Sequence, residues 1–212
     1  MTKHFLILVF LFIFSISGNS QTSLGVKAGV NLSKAVYLNE YNEQLIAPIR
    51  KLKPGFVAGF ILNQKLNEVI SIQAEVLYSQ KGLKTKQTSL SKYINSMNYI
   101  EVPLSGHYSI SYNKHSNFNI YIGGYGAYWT DGKYKRYDLI TSEITKIKID
   151  FNNIDFIYNR INAGVLFGFV YKINNFSYFI RYTHSMIGSS QKNADALSNR
   201  VISFGMNYFI FN

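Results

Sequence analysis

Apolar residues fall on every second position along most of the chain, in runs broken by short polar links or by longer stretches rich in lysine, asparagine and serine. A period of two predicts strands, because successive side chains of a strand point to opposite faces. In "SLGVKAGVNLS", Leu24, Val26, Ala28, Val30 and Leu32 share one face, and Gly25, Lys27, Gly29 and Asn31 the other. Ile70, Ile72, Ala74, Val76 and Tyr78 likewise oppose Ser71, Gln73, Glu75 and Ser79, and Ile100, Val102, Leu104, Tyr108 and Ile110 face away from Glu101, Ser105, His107 and Ser109. The same split recurs in "RINAGVLFGFVY", "FSYFIRYTHS" and "RVISFGMNYFIF", where Arg160, Asn162, Gly164 and Gly168, then Arg181 and Ser185, then Ser203 and Asn207 lie on the polar side. Two further segments, 55–63 and 118–130, alternate less cleanly and bring the expected strands to eight.

A soluble sandwich alternates too, so the spacing of the strands has to decide what the apolar face meets. The links run long, short, long, short: 34–52, then 64–68; 83–96, then 113–117; 131–159, then 173–175; finally 188–199. Short turns on one side, long loops on the other and an even strand count are the plan of an outer-membrane barrel. The expected fold is therefore all-β, an eight-stranded antiparallel up-and-down transmembrane β-barrel. "ITKIKIDF" (144–151) alternates as well, which suggests a hairpin rising above the bilayer, with a ten-stranded count as the alternative. Pro103 lacks an N–H and is expected to mark a bulge or another irregularity.

The polar face then becomes the barrel interior. Lys27, Glu75, Glu101, His107, Arg160 and Arg181 are expected to form a polar network there, since a buried charge is tolerable only when paired. Lipocalin-like closure around an apolar ligand does not suit so many charges. Eight strands also leave an interior about wide enough for side chains to fill, which argues against a wide pore.

The first twenty residues carry Lys3, an apolar run from Phe5 to Ile16, and small residues Gly18 and Ser20. That is the pattern of a secretory signal peptide, 1–20, ahead of a barrel domain at 21–212. No later segment reaches the roughly 18 uninterrupted apolar residues of a membrane helix.

Charge and chemistry refine the picture. The 22 Lys and Arg against 11 Asp and Glu give +11 for the whole chain. Much of the excess lies in the links, where Lys84, Lys86, Lys133, Lys135 and Arg136 form a basic loop surface interleaved with tyrosines. On a cell surface the nearest polyanion is the phosphate layer of lipopolysaccharide, so lipid and lipopolysaccharide are the expected partners, with envelope proteins at the long loops and no nucleic acid. A monomer is expected. With no cysteine, thiolate metal sites, disulfides and cysteine nucleophiles are excluded. His4, His107, His115 and His184 lack metal-ligand spacing, and no G-x-S-x-G elbow occurs. "GGYGAY" (123–128) lies in a strand rather than before a helix, and His184 beside Ser185 is read as rim polarity. No catalytic residue, cofactor or metal is therefore assigned.

Four stretches, "GVKAGVNLS" (25–33), "QAEVLYSQKG" (73–82), "YIEVPLSGHY" (99–108) and "NRVISFGMNYFIF" (199–211), together resemble the PorT-like bacterial outer-membrane β-barrels, across essentially the whole mature chain. The resemblance implies an eight-stranded barrel in the cell outer membrane, without assigned activity in most members and linked to secretion machinery in a few. The chain ends in Asn212 where such barrels commonly end in an aromatic residue, with Phe209 and Phe211 just before it. The expected function is a small non-enzymatic barrel, membrane-structural or a partner-binding part of an envelope assembly. The rivals are an outer-membrane barrel enzyme and a soluble periplasmic ligand-binding barrel.

Overall fold

In the computed structural model the described residues are 21–37, 40, 44, 47–85, 91–113, 116–138, 141–151, 158–188, 190–191 and 197–211. The segment expected to be a signal peptide lies outside them. Eight long strands carry the fold: β1 (Thr22–Tyr37), β2 (Lys53–Lys65), β3 (Ile70–Thr85), β4 (Ser91–Asn113), β5 (Ser116–Asp138), β6 (Ile161–Ile173), β7 (Phe176–Ile187) and β8 (Leu197–Phe211). Each pairs antiparallel with its neighbour in sequence, and β8 pairs back with β1, so the sheet closes.

The stagger of this closure can be read from the register. From Leu24 the paired residues run through Leu62, Ala74, Leu104, Gly124, Val165, His184 and Arg200 and return to β1 at Lys34, ten residues further on. With eight strands, that shear tilts the strands by about 40–45° from the barrel axis.

Closure fixes what the alternation means. Phe60, Val102, Leu104, Ile122, Phe167 and Ile180 point outward and are exposed, while Lys27, Gln73, Glu75, Glu101 and Arg181 point inward and are buried. Ile122 keeps 71% of its surface exposed and Glu75 only 2%, the reverse of a soluble protein. Tyr108, Tyr171, Tyr178 and Tyr208, with Phe118 and Phe176, lie outward near the short-turn end, where an aromatic girdle belongs. Among the described residues no helix is long and apolar enough to cross a membrane.

The short turns are locally encoded. Asn67 Oδ1 accepts from the N–H groups of Val69 (2.9 Å) and Ile70 (2.7 Å), holding the β2–β3 turn. Asn174, at φ 53°, supplies the left-handed residue of the two-residue β6–β7 turn.

One expectation changes and two are narrowed. The second loop, expected at 83–96, is largely strand, because β3 runs to Thr85 and β4 starts at Ser91. β4 and β5, 23 residues each, project beyond the ring, and a short strand, Ile144–Lys148, pairs with Lys133–Tyr137 along the side of β5. This is the hairpin expected at 144–151, formed with β5 over 144–148, and it adds no strand to the ring. Pro103 makes no bulge: it faces inward, and its pairing with Tyr125 of β5 is in register. On the β3 side the pairing skips Val102 and Pro103 and resumes at Leu104 with the same offset. The missing N–H thus costs local pairing without moving the strand. The shift in β4–β5 pairing lies instead at Asn98/Tyr99, where Thr130 of β5 is the extra residue.

Candidate functional site

Two regions stand out chemically: the filled lumen and the sheet projecting above it. In the lumen, β1 supplies Lys27, β3 supplies Gln73 and Glu75, and β7 supplies Arg181, all on inward phases. Glu75 sits between the two cations. Lys27 Nζ donates to Oε1 (2.9 Å) and Oε2 (3.0 Å), and Arg181 spans the same carboxylate with NH1 to Oε2 (3.0 Å) and NH2 to Oε1 (2.5 Å). Gln73 Nε2 adds a third donor at 2.5 Å. The geometry is the bidentate fork that guanidinium and carboxylate favour.

One carboxylate cannot neutralise two cations, and aromatic faces take up part of the excess. Lys27 Nζ lies 4.4 Å from the Phe179 ring centre, and Arg181 Nε donates to the Tyr121 hydroxyl at 3.2 Å. Gly168 makes room for that tyrosine: a Cβ there would lie 2.6 Å from the Tyr121 hydroxyl oxygen. His107 stacks on Tyr121 at 4.6 Å, with Nε2 3.0 Å from Ser105 Oγ. This histidine therefore packs beside the triad as a platform.

Nearer the outer end, Lys81 and Glu101 form a second buried ion pair. Lys81 Nζ also lies 4.8 Å from the Tyr125 ring centre and 5.6 Å from that of Tyr99. Tyr125 donates to Asn162 Oδ1 at 2.9 Å, and Asn199 Nδ2 donates to the Tyr99 hydroxyl at 3.3 Å. Met97, Tyr99 and Trp129 close the interior above, with Phe151 edge-on to Trp129 at 4.9 Å. Below the triad a cleft of about 70 Å³ opens toward the short-turn end between Asn63, Ser71, Asn119 and Asn207.

Of the six residues expected in the lumen, Lys27, Glu75 and Arg181 meet in one triad, Glu101 pairs with Lys81, and His107 packs beside the triad. Arg160 stands apart. It precedes β6, its Nε donates to the Trp129 carbonyl (2.8 Å), its NH2 donates to the Thr130 carbonyl (3.3 Å), and its guanidinium lies 4.1 Å from the Phe151 ring centre. It braces the rim instead of joining the network, because its strand starts one residue later. Lys81 and Tyr121 belong to the lumen network and are not among the residues expected there. Lys81 continues the odd-numbered phase of Gln73 and Glu75 and could have been found by carrying the alternation one repeat further.

His184 and Ser185 sit on opposite faces. Ser185 is buried in the lumen, its Oγ donating to the Ile187 carbonyl at 2.9 Å, while His184 Nδ1 lies outside, 3.3 Å from the Tyr182 hydroxyl. Among the described residues no cluster of three or more His, Cys, Asp or Glu side chains could hold a metal ion.

The projecting sheet has the opposite character. Lys84, Lys133, Lys135 and Arg136 lie on it, half-buried or exposed. Lys86, expected on the same surface, lies outside the described residues, as do His4, His115 and Asn212. Beside this sheet, a groove of about 640 Å³ runs between Asp131, Lys148, Phe151 and Arg160.

The family to which the chain belongs agrees with this architecture. A family model described as "Outer membrane protein beta-barrel domain" matches residues 18–191. Among solved structures, the attachment invasion locus protein Ail of Yersinia pestis is 14% identical, over 90% of this chain and 99% of that one, with a TM-score of 0.44. Neisserial surface protein A is 15% identical over 88% and 97% of the two chains, at a TM-score of 0.47. The outer membrane protease OmpT of Escherichia coli is 12% identical over 90% and 96%, at a TM-score of 0.24. No curated protein matches the chain.

Proposed function

The chain belongs to the outer-membrane β-barrel domain family and lies in the outer membrane, and from that premise we propose that it is a non-enzymatic barrel acting through its outer surface. It serves as a membrane-structural or partner-binding component of an envelope assembly. The observation that carries this reading is the filled lumen. Two buried ion-pair layers, Lys27–Glu75–Arg181 and Lys81–Glu101, lie under an aromatic lid of Tyr99, Trp129 and Phe151. A substrate path through the barrel would have to break both layers, and breaking one buried pair costs roughly 3 to 5 kcal/mol. What remains for function is the projecting sheet and its loops. The finer assignment, a PorT-like protein linked to secretion, rests on the four sequence stretches quoted above.

Planar-bilayer recording of the refolded protein tests the reading. No steady conductance is expected, and an open, ion-conducting state lasting most of the record would overturn the sealed-barrel reading. Hydrolysis of a peptide or ester by the same preparation, lost on Ser185→Ala, would establish the enzyme instead.

A further inference from the structure

The projecting sheet carries lysines in rows that only the strand register reveals. Lys51 of the short strand Arg50–Lys51 pairs with Lys84, Lys84 with Ile94, Ile94 with Lys135, and Lys135 with Lys146. One step nearer the ring, Gly82 pairs with Ser96, Ser96 with Lys133, and Lys133 with Lys148. Lys92, one step further out, has its Nζ 5.2 Å from the Tyr137 ring centre. Directly paired residues project to the same face, so at least six lysines share one surface across five strands.

That surface is the upward continuation of the lipid-facing one. β3 and β4 keep a constant offset from Ile70/Tyr108 to Lys84/Ile94, so the even-numbered phase that exposes Ile72, Val76, Ile100 and Val102 also carries Lys84, Ile94 and Lys92. The other face is distinct. There Tyr93 meets Tyr134, with Arg136 5.8 Å from the Tyr93 ring centre. The lysines therefore look sideways over the leaflet. From Ile100, above which the unbroken apolar run on this phase of β4 ends at Asn98, the two rows lie four and six residues higher. At about 3.3 Å per residue and a tilt near 40°, that is roughly 10 to 15 Å above Ile100. Across the barrel the same phase first turns charged at Lys34, which pairs with Arg200, directly above Leu32 and Ile202.

Like charges directly opposite one another destabilise a sheet. Lys133/Lys148 and Lys135/Lys146 are two such pairs, and none of these four lysines has a carboxylate partner among the described residues. Asp131 lies at the ring edge of this face, but its Oδ1 accepts from Asn98 at 2.6 Å and its Oδ2 from Thr130 at 3.4 Å. Two like-charge pairs that no carboxylate bridges among the described residues make a face on which an external anion would relieve repulsion.

We infer that this lysine face binds the phosphate groups of lipopolysaccharide in the same outer leaflet, and that the bound phosphates clamp strand 144–148 onto β5. The inference rests on the proposed role of the outer surface and names its ligand class. Lipid phosphate is favoured over a soluble polyanion because the rows face the leaflet at headgroup height, continuous with the lipid contact.

The test uses the mature chain refolded into phosphatidylcholine vesicles, alone, with bisphosphorylated lipid A, or with lipid A stripped of its phosphates. Amide hydrogen exchange is read at 144–148. Bisphosphorylated lipid A is expected to slow exchange there about tenfold, through charge-assisted contacts that the stripped lipid cannot make. Lys133→Gln/Lys135→Gln/Lys146→Gln/Lys148→Gln should lose that protection. Lys146→Gln/Lys148→Gln, which leaves the ring strands untouched, should lose most of it. Equal protection by both forms of lipid A, or full protection in the double variant, would overturn the inference. Protection by added dextran sulfate in phosphatidylcholine, with none from lipid A, would overturn it in favour of a soluble polyanion. Conductance or turnover would defeat the proposed function yet leave the lipid A result standing, so the two failures are distinguishable.

Discussion

The ring and the sheet above it are built from the same strands with the same two-residue period, yet they use charge in opposite ways. Inside the ring, Glu75 is held by Lys27 and Arg181, and Glu101 by Lys81. Above it, Lys133 faces Lys148 and Lys135 faces Lys146. The difference follows from the solvent each region meets. A charge sealed in the lumen must find its counter-ion within the protein, whereas a charge at headgroup height can take one from outside. The ring is therefore self-sufficient, whereas the extension, on the inference drawn above, takes its counter-ions from outside the protein.

The largest effect that sharpens this contrast comes from the triad. Glu75→Gln leaves two buried cations without their carboxylate and should destabilise the barrel by about 3 to 5 kcal/mol. Mobility on SDS gels without and with heating should show it, the folded form being lost at a distinctly lower temperature. An unchanged transition would remove the triad as the ring's electrostatic core. Glu101→Gln should cost less, about 2 to 3 kcal/mol, because Lys81 keeps the faces of Tyr99 and Tyr125. Lys81→Met together with Glu101→Gln should recover most of that loss, since replacing both partners removes the orphaned charge. Recovery is read from urea midpoints in detergent micelles. Gly168→Ala, whose Cβ would press on the Ile180 carbonyl of β7 as well as on Tyr121, should cost about 1 to 3 kcal/mol in the same assay, and a neutral result would mean that the β6–β7 pairing and the Tyr121 ring both shift to admit it.

The smallest effect carries the opposite sign. In a zwitterionic detergent Lys146→Gln should stabilise the extension by about 0.2 to 1 kcal/mol, as slower amide exchange at 144–148, because it removes a like-charge pair. Raising the salt should slow exchange in the wild-type extension while leaving the ring's thermal transition unmoved, because screening reaches exposed charges and hardly touches buried ones. A salt-sensitive ring would break the comparison.

Much of the fold was legible because the alternation needs no knowledge of partners. The clean runs around Val26, Val76 and Ile202 gave strands of the right phase, and the short turns at Asn67 and Asn174 carry their own chemistry. Strand 118–130 was harder to read because its inward residues include Tyr121, Tyr125 and Trp129, so large aromatics occupy both faces. The 83–96 link looked like a loop because its lysines, serines and asparagines suit an exposed surface, and the strands continue there into water. Pro103 marks an irregularity without a bulge, because one missing N–H is a local defect and the ladders on either side of it hold the offset.

The sequence by itself determined the period, its phase and the order of long and short links, and with them a barrel that turns apolar side chains to lipid and charges inward. These are relations between residues one or two apart, fixed by the pleat of a single strand. Which charges meet was decided only by the tertiary structure. Glu75 finds Lys27 across 48 residues and Arg181 across 106, and the lysines align in rows, because closure with a ten-residue shear brings those levels together. Arg160 shows the limit of the local rule. It has the inward phase of its strand but stands one residue above it, and there the carbonyls of Trp129 and Thr130, rather than the pleat, set where the guanidinium points.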